Sequence, residues 1–320
     1  MSSGLGGNWG AFVDWARVAR VAAILLPPAL VAPFLVEDYI VHVLAIGFYY
    51  VILTASWNLL AGFTGQFSLA QHAFAAIGGY SSGLLVYHLK LPLVLTAPMG
   101  VVAAGLAGLI LGLLVLKMRA IYLAIATWAF AETLRILLGA AFEFTRGDLG
   151  LSVPSLYGHV RATTYYYTFL GMACLCLLLM HVILASPAGF FMRAIKDDQM
   201  RAASLGVDTT RVKLFAFVVS SAMAGLAGVV NAHYVLTLTP SIVDFSEMAK
   251  VIVMAAIGGI GSFIGPVMAA IPIHFLNAYL TSWGEWSLVV FATVVIIVMR
   301  VNPGGLAGLI ADINRKRGKS

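Results

Sequence analysis

Charge is scarce in this sequence of 320 residues. Asp, Glu, Lys and Arg together make up 10% of the chain, whereas hydrophobic residues make up 61% and the mean hydropathy is +0.98. A soluble domain needs more charge than this to solvate its surface. The composition therefore excludes an ordinary soluble protein and indicates a protein embedded in a lipid bilayer.

Cysteines and clustered metal ligands are also scarce. The two cysteines, Cys174 and Cys176, share one apolar run. Residues two apart on a helix point in different directions, so a disulfide between them is implausible and apolar packing is their expected role. The seven histidines are scattered, without His-Glu-x-x-His or a close Cys/His spacing. We therefore expect no metal site.

The sequence has no nucleotide-binding loop. Glycines recur between 258 and 265, but no Gly-x-x-x-x-Gly-Lys-Ser/Thr occurs. These glycines suit close helix contacts, or a helix that breaks at membrane depth where protein encloses the irregular backbone. Nucleophiles, bases and metal ligands do not converge at a useful spacing either. We expect a protein without a cofactor, a nucleotide site or catalytic residues.

A formal charge of +6 raises the possibility of nucleic-acid binding. The basic residues, however, cluster in short loops at the ends of apolar runs, as the positive-inside rule requires of a membrane protein. We therefore expect no nucleic-acid partner.

The apolar runs have the length of membrane-spanning helices, about 20 residues. Because lipid offers no hydrogen bonds to the backbone, such runs must form helices. We predict an all-α, polytopic membrane protein in which residues 1–320 form one transmembrane domain. The predicted crossings, about ten in number, are 17–36, 39–60, 69–89, 93–116, 120–141, 165–185, 211–233, 247–260, 263–280 and 286–299. The short segment 247–260 is either a crossing or a re-entrant segment.

Basic residues set the predicted orientation. They concentrate on one side of the predicted bundle, at both termini and in the loop 186–210. The positive-inside rule places that side in the cytoplasm. Both termini are then cytoplasmic, and the loop 142–164 is external.

One polar stretch between two apolar runs has a helical pattern of its own. In residues 186–208, apolar side chains can gather on one side of a helix and charged side chains on the other. Gly206 is well placed to end that helix. We expect a short helix at the cytoplasmic face, where another protein can press on it. Its charged residues are Arg193, Lys196, Asp197, Asp198 and Arg201.

A polar patch leads into the third apolar run and contains Gln66, Ser68, Gln71 and His72. Two interpretations stay open: these side chains fix helix packing through hydrogen bonds, or they contact the transported substrate.

Glu132 and Arg135 lie three residues apart and can pair on one helical face. We expect a structural ion pair within the membrane. A proton relay needs several acidic or histidine partners, and Glu132 is the only acid deep in a predicted crossing. This disfavours a proton-driven secondary carrier.

Several motifs together resemble the permease subunits of branched-chain amino acid ABC importers, and in particular the longer of the two permease types. They extend over most of the chain: NLLAGFTGQFSL at 58–69, GGY at 78–80, AFAETLR at 129–135, GFFMRAIKDDQMRAASLGV at 189–207, RVKLFAF at 211–217, AGLAG at 224–228, GGIGSFIGP at 258–266 and PGGLAG at 303–308.

The resemblance implies a heteromeric importer in a bacterial or archaeal plasma membrane. Its other parts are two ABC ATPase subunits, a second related permease and an external solute-binding protein. The stretch 186–210 becomes the coupling loop, whose implied ATPase contacts are Arg193, Asp197, Asp198, Arg201 and Gly206.

Two departures from the family pattern limit this correspondence. ABC permeases often carry Glu-Ala-Ala-x-x-x-Gly in the coupling helix, whereas this chain has Met200, Arg201 and Ala202 before Gly206. The loop 145–151 only loosely resembles the family's external segment.

The resemblance implies import of branched-chain or other hydrophobic amino acids. Relatives that carry urea or short amides provide an alternative substrate class. A secondary carrier or channel, without an ATPase partner, is a further alternative.

Overall fold

The computed structural model describes residues 15–116, 118, 120–158 and 162–281, together with residues 290, 293, 296 and 300. The predicted crossing 286–299 and the basic tail therefore lie largely outside the described residues. Twelve helices occur within the described part: α1 (Trp15–Leu35), α2 (Asp38–Ala61), α3 (Gln71–Leu89), α4 (Leu93–Val115), α5 (Ala120–Ala140), α6 (Phe142–Thr145), α7 (Ala162–Ala185), α8 (Pro187–Asp197), α9 (Gln199–Ser204), α10 (Thr209–Val235), α11 (Phe245–Gly258) and α12 (Ile264–Thr281).

Among the described residues, five helices are long and apolar enough to cross a membrane. They are α2, α4, residues Ile121–Ala140 of α5, α7 and α10. Exposed leucines and isoleucines cover outward faces of α4 and α5, as expected where lipid is the solvent; examples are Ile110, Leu114, Ile121 and Ile136. The mainly helical fold predicted from the apolar runs is present. The full count of ten crossings stays a prediction.

The bundle has two ends that differ in their connections. At one end, called the α8 end here, lie α8 and α9, the last residues of α2 and the first residues of α10. The opposite end, called the hairpin end, carries two short antiparallel strands, β1 (Leu151–Ser152) and β2 (Thr237–Leu238), with Leu151 opposite Leu238.

Small residues let α10 approach α3 and α4 closely. A Cβ on Gly228 of α10 would overlap the backbone of Ala75 in α3, and a Cβ on Gly225 would overlap the Ala104 side chain in α4. Such small-residue contacts replace the hydrophobic driving force that is absent between helices in lipid. Much of α3, from Gln71 to Gly83, is consequently buried among other helices.

The glycine-rich segment after α11 separates two helices. α11 ends at Gly258, the φ angles of Gly259 and Gly261 are +104° and +85°, and α12 starts at Ile264. With 14 residues, α11 rises about 21 Å, which is less than the thickness of the hydrocarbon core, about 30 Å. By itself α11 is therefore too short for a full crossing.

The stretch 186–208 forms two helices, where the sequence pattern predicts one. Asp198 has an extended backbone and ends α8, and its side chain accepts hydrogen bonds from the backbone N–H groups of Met200 and Arg201 to start α9. A short polar side chain that bonds to nearby backbone competes with helix continuation. That competition was not visible in the apolar periodicity.

Candidate functional site

A cavity of about 340 Å³ lies between α2, α3, α10, α11 and the segment 237–244. Aromatic and acidic side chains line it together with hydroxyl and aliphatic groups. The lining residues are Ile46, Tyr49, Tyr50, His72, Asn231, Val235, Thr237, Leu238, Thr239, Ser241, Ile242, Asp244 and Glu247.

Glu247 is one of two acidic residues in the cavity lining, and it lies in the first turn of α11. Tyr50 donates its hydroxyl hydrogen to Glu247 Oε2 at 2.5 Å, and Lys250 Nζ donates to Oε1 at 2.7 Å. The Tyr50 ring also packs against the His274 ring, with centroids 4.9 Å apart. The carboxylate is thus held in one place by α2 and by its own helix.

The Glu247–Lys250 pair was not among the residues singled out from the sequence. Its three-residue spacing is the same signal that marked Glu132 and Arg135. The sequence did not single out Glu247, because its hydroxyl partner Tyr50 is 197 residues away in the chain. The structure places Glu247 beside Tyr50, near the middle of α2.

His72 is the predicted substrate-path residue that lines the cavity. Its side chain is 2% exposed, and neither ring nitrogen has a hydrogen-bond partner in the described part of the chain. The rings of Tyr49 and Tyr50 lie nearby, each 6.4 Å from the imidazole by centroid. Since buried polar groups are ordinarily hydrogen-bonded, the imidazole has hydrogen-bonding capacity that no described residue uses.

Gln71 points into a hydrogen-bonded contact between helices. Its Nε2 donates to Ser56 Oγ at 2.9 Å and to Ser220 Oγ at 2.7 Å, and the Ser220 hydroxyl donates to the Ser56 carbonyl at 2.7 Å. This arrangement ties α2, α3 and α10 together. It corresponds to the packing interpretation of the polar patch.

Ser68 and Gln66 lie outside the cavity lining. The Ser68 carbonyl accepts a hydrogen bond from Trp57 Nε1 at 2.7 Å, which fixes the loop before α3 against α2. Gln66 is buried, and its side-chain amide has no hydrogen-bond partner within the described residues. The structure thus separates the four polar residues that are neighbours in sequence.

Glu132 and Arg135 are in contact on α5. Arg135 Nη2 lies 2.5 Å from Glu132 Oε1, and Arg135 Nε lies 3.8 Å from Asp244 Oδ1. Asp244 immediately precedes α11 and lines the cavity. The ion pair therefore also reaches the segment that carries the cavity rim.

At the α8 end, α9 presents both charge and apolar surface. Arg201 Nε lies 3.0 Å from Asp198 Oδ2, while Met200 and Leu205 are 80% and 85% exposed. Gly206 follows with a φ of +86°, and the adjoining Asp197 is exposed. Exposed methionine and leucine beside an ion pair are typical of a protein contact.

α8 faces the bundle more closely than α9 does. The Arg193 guanidinium lies over the Phe63 ring at 5.7 Å, and burial lowers the pKa of Arg193 from its usual value. Lys196 packs on Gly65, and its Nζ adjoins the Gly261 backbone. α8 therefore touches both the loop after α2 and the break between α11 and α12.

Asn58 joins α2 to that same break. Its Nδ2 donates to the Ser262 carbonyl at 2.8 Å, and its Oδ1 accepts from the Gly261 backbone N–H at 2.8 Å. A single side chain thereby satisfies two backbone groups where the helix is interrupted.

Within the residues that the structure describes, no group of three or more His, Cys, Asp or Glu side chains is placed to hold a metal ion. The site chemistry there consists of a partly buried charge pair, tyrosine hydroxyls and a histidine without a hydrogen-bond partner among the described residues.

The apolar exterior, the long helices and the polar cavity between them define a multi-pass helical membrane protein. The family described as the permease component of the branched-chain amino acid transport system matches residues 39–299. The chain belongs to this family of permeases.

Relatives support the same assignment. The chain is 30% identical to the high-affinity branched-chain amino acid transport system permease protein LivM of Salmonella typhimurium, over 88% of this chain and 73% of the relative. It is 27% identical to the corresponding LivH protein of Escherichia coli, over 82% of this chain and 92% of the relative. A chain of the solved structure PsaBC from Streptococcus pneumoniae in complex with Fab matches with a TM-score of 0.47 and 15% identity, covering 84% of this chain and 94% of that chain. That similarity is too low to place the fold.

Proposed function

We propose that this protein is a permease subunit of an ATP-driven ABC importer for branched-chain or other hydrophobic amino acids. The observation that carries the proposal is the family match over residues 39–299. The relatives named above are branched-chain amino acid permeases by name, and the cavity between α2, α3, α10 and α11 provides space for a small solute.

The importer contains a second, related permease. LivM and LivH are two permease proteins of branched-chain amino acid transport, and this chain is similar to both. Two ATPase subunits and an external solute-binding protein complete the complex. The ATPases hydrolyse ATP, and this chain provides the path for the solute.

The ATPase contact lies at α8 and α9. The exposed side chains of Met200, Arg201 and Leu205 support this location. Asp197, Asp198 and Gly206 shape the same surface, whereas Arg193 anchors α8 to Phe63 behind it. Movement of the ATPases is then passed to the bundle through α8.

The α8 end faces the cytoplasm, and the hairpin end with the loop 142–164 faces outward. Described basic residues at the α8 end support this orientation: Arg193, Lys196, Arg201, Arg211 and Lys213. The whole chain forms a single domain of about ten crossings in a bacterial or archaeal plasma membrane, with both termini in the cytoplasm.

The four polar residues take different roles in this proposal. His72 contacts the solute path, because it lines the cavity. Gln71 holds α2, α3 and α10 together, and Ser68 holds the loop before α3 against α2. Gln66 lies in that loop between α2 and α3.

Uptake by a reconstituted complex tests the proposal. The chain is copurified with the second permease and the ATPase subunits, placed in liposomes and supplied with the binding protein and labelled leucine. We expect uptake only with hydrolysable ATP. The matched control contains ATPase subunits that bind ATP without hydrolysing it.

Two results would argue against the proposal. Uptake that continues with the inactive ATPase subunits indicates a secondary carrier or a channel. ATP-dependent uptake of urea or acetamide, without uptake of leucine, indicates the alternative substrate class.

A further inference from the structure

We infer that the cavity binds its solute as a zwitterion, with the ammonium group at Glu247 and the carboxylate at His72 and Asn231. This inference deepens the proposed function and rests on it. It identifies a binding site within the permease and the chemical class of solute that this site accepts.

An ammonium group can pair with the acidic side chains that line the cavity. The two charged lining residues, Asp244 and Glu247, are both acidic, and no Lys or Arg is among the lining residues in the described part of the chain. Lys250 and Arg135 approach the two carboxylates without lining the cavity. An ammonium group is the cationic part of an amino acid.

Glu247 has capacity for such a ligand. Tyr50 and Lys250 each bond to one of its oxygens, whereas a carboxylate offers about four lone-pair sites. Because those partners hold the carboxylate in place, binding an ammonium group requires little side-chain ordering. The site is therefore preorganised.

His72 and Asn231 provide donors for the carboxylate end. His72 is buried, and both its ring nitrogens lack a hydrogen-bond partner within the described residues. A neutral imidazole donates one N–H, and the Asn231 side chain carries an NH₂ group at the same cavity. Hydrogen bonds to a charged acceptor are stronger than those between neutral groups.

The remaining wall suits an aliphatic side chain. Ile46, Leu238 and Ile242 contribute aliphatic surface to the cavity lining. Its volume, about 340 Å³, is at the small end of the range for ligand pockets. Urea and short amides carry no positive charge to pair with Glu247, so the lining selects amino acids over them.

The test measures equilibrium binding of labelled leucine to the complete complex in lipid nanodiscs, without the solute-binding protein. Unlabelled leucine and its uncharged analogue 4-methylpentanamide serve as competitors. We expect 4-methylpentanamide to compete at least about tenfold more weakly than leucine, because the site is built to hold charged groups.

Two variants test the assigned residues. In the double variant Glu247→Gln/Lys250→Gln, both charges disappear together, so neither is left buried without a partner. His72→Leu removes a polar side chain that has no hydrogen-bond partner among the described residues, so this variant should fold. We expect leucine affinity to fall about tenfold or more in each variant. The matched control is Asp208→Asn/Arg211→Gln, which removes an exposed pair of the same spacing outside the cavity and should bind leucine normally.

Three results would overturn the inference: equal competition by 4-methylpentanamide, normal leucine affinity in His72→Leu and in the double variant, or no leucine binding to the wild-type complex. ATP-dependent uptake with the binding protein distinguishes this failure from failure of the proposed function. If uptake persists while the binding result is negative, only the zwitterion site is wrong.

Discussion

Gly206 and Gly139 both have open space where a Cβ would stand, but their backbones differ. Apart from the adjoining backbone, no atom of the described residues lies within 4 Å of a Cβ built at either position. Gly139 lies inside α5, whereas Gly206 has a φ of +86°, which side chains with a Cβ rarely adopt. The requirement for glycine at position 206 is therefore conformational.

We predict that Gly206→Val destabilises the α9 terminus by about 1 to 2 kcal/mol, because a β-branched residue is strained at positive φ. Membrane insertion should be unchanged, and the amount of leucine transported per ATP hydrolysed should fall. Both quantities can be measured in liposomes.

The matched control for Gly206 is Gly139→Val. Valine and glycine differ little in a helix interior, so this change should leave coupling and stability nearly unchanged. Normal coupling in a correctly inserted Gly206→Val variant would contradict the role of Gly206.

Individual residues were predictable where local spacing determines their partner. Glu132 and Arg135 needed only a helix to meet. Gln71 lies in a helix contact, whereas His72 lines the cavity. Predicting this difference requires the relative positions of α2, α3 and α10, which a single sequence does not contain. Glu247 was missed for the same reason, since its hydroxyl partner Tyr50 is 197 residues away.

The close contact between α3 and α10 depends on glycine at the element scale. A Cβ at Gly228 would overlap the carbonyl group of Ala75, which is backbone and cannot rotate away. We predict that Gly228→Ala destabilises the protein by about 1 to 3 kcal/mol, the usual cost of overpacking. Thermal unfolding in detergent provides the measurement.

Gly105→Ala is the matched control for this contact. Gly105 of α4 also faces α10, but a Cβ there would lie 3.7 Å from the Ala222 Cβ, an ordinary contact. This variant should retain wild-type stability or gain some through better helix propensity. Equal unfolding temperatures for the two variants would show that the α3–α10 distance is not limiting.

The break between α11 and α12 depends on Asn58. We predict that Asn58→Leu costs about 2 kcal/mol or more, because the Gly261 N–H and the Ser262 carbonyl both lose their side-chain partner. Unfolding by heat or denaturant measures the loss. α11 connects this break, which follows Gly258, to Glu247 in its first turn. Because loosening the break should also disturb Glu247 in the cavity, we expect leucine transport per ATP to fall as well.

Thr54→Val is the control one turn earlier on α2. Thr54 is equally buried, but within the described residues its hydroxyl donates to the Met254 sulfur alone, at 3.8 Å, a weak hydrogen bond. Its replacement should cost less than that of Asn58. A larger loss for Thr54→Val would mean that general packing of α2, and not the helix break, determines stability.

The positions of the long helices were predictable from the apolar runs. Of the two interruptions, the one after α11 was predictable and the one between α8 and α9 was not. Glycines at 258–265 marked the break after α11, because positive φ angles favour glycine. The division of α8 from α9 depends on how one aspartate side chain bonds to the backbone. Periodicity reports which face is apolar and is insensitive to such a local bond.

At the scale of the whole molecule, the cavity and the α9 surface lie toward opposite ends. The cavity opens among residues 237–244 beside the hairpin, and α8 meets the break that follows α11. Hydropathy predicts a helical membrane protein but cannot count the crossings where α11 is too short to span.

Orientation can be tested with two exposed leucines at opposite ends, Leu149 near the hairpin and Leu205 after α9, which are 76% and 85% exposed. Each is replaced by cysteine in a chain in which Cys174 and Cys176 are alanine, and intact cells are treated with a membrane-impermeant maleimide. Because basic residues cluster at the α8 end, we predict that Leu149→Cys reacts in intact cells and Leu205→Cys only after permeabilisation. The similar exposure of the two sites makes each the control for the other's reactivity.

Coexpression of the ATPase subunits should protect Leu205→Cys and leave Leu149→Cys reactive, because the proposed contact covers only the α9 surface. The reverse labelling pattern would place α8 and α9 outside the cell, where no ATPase can reach them.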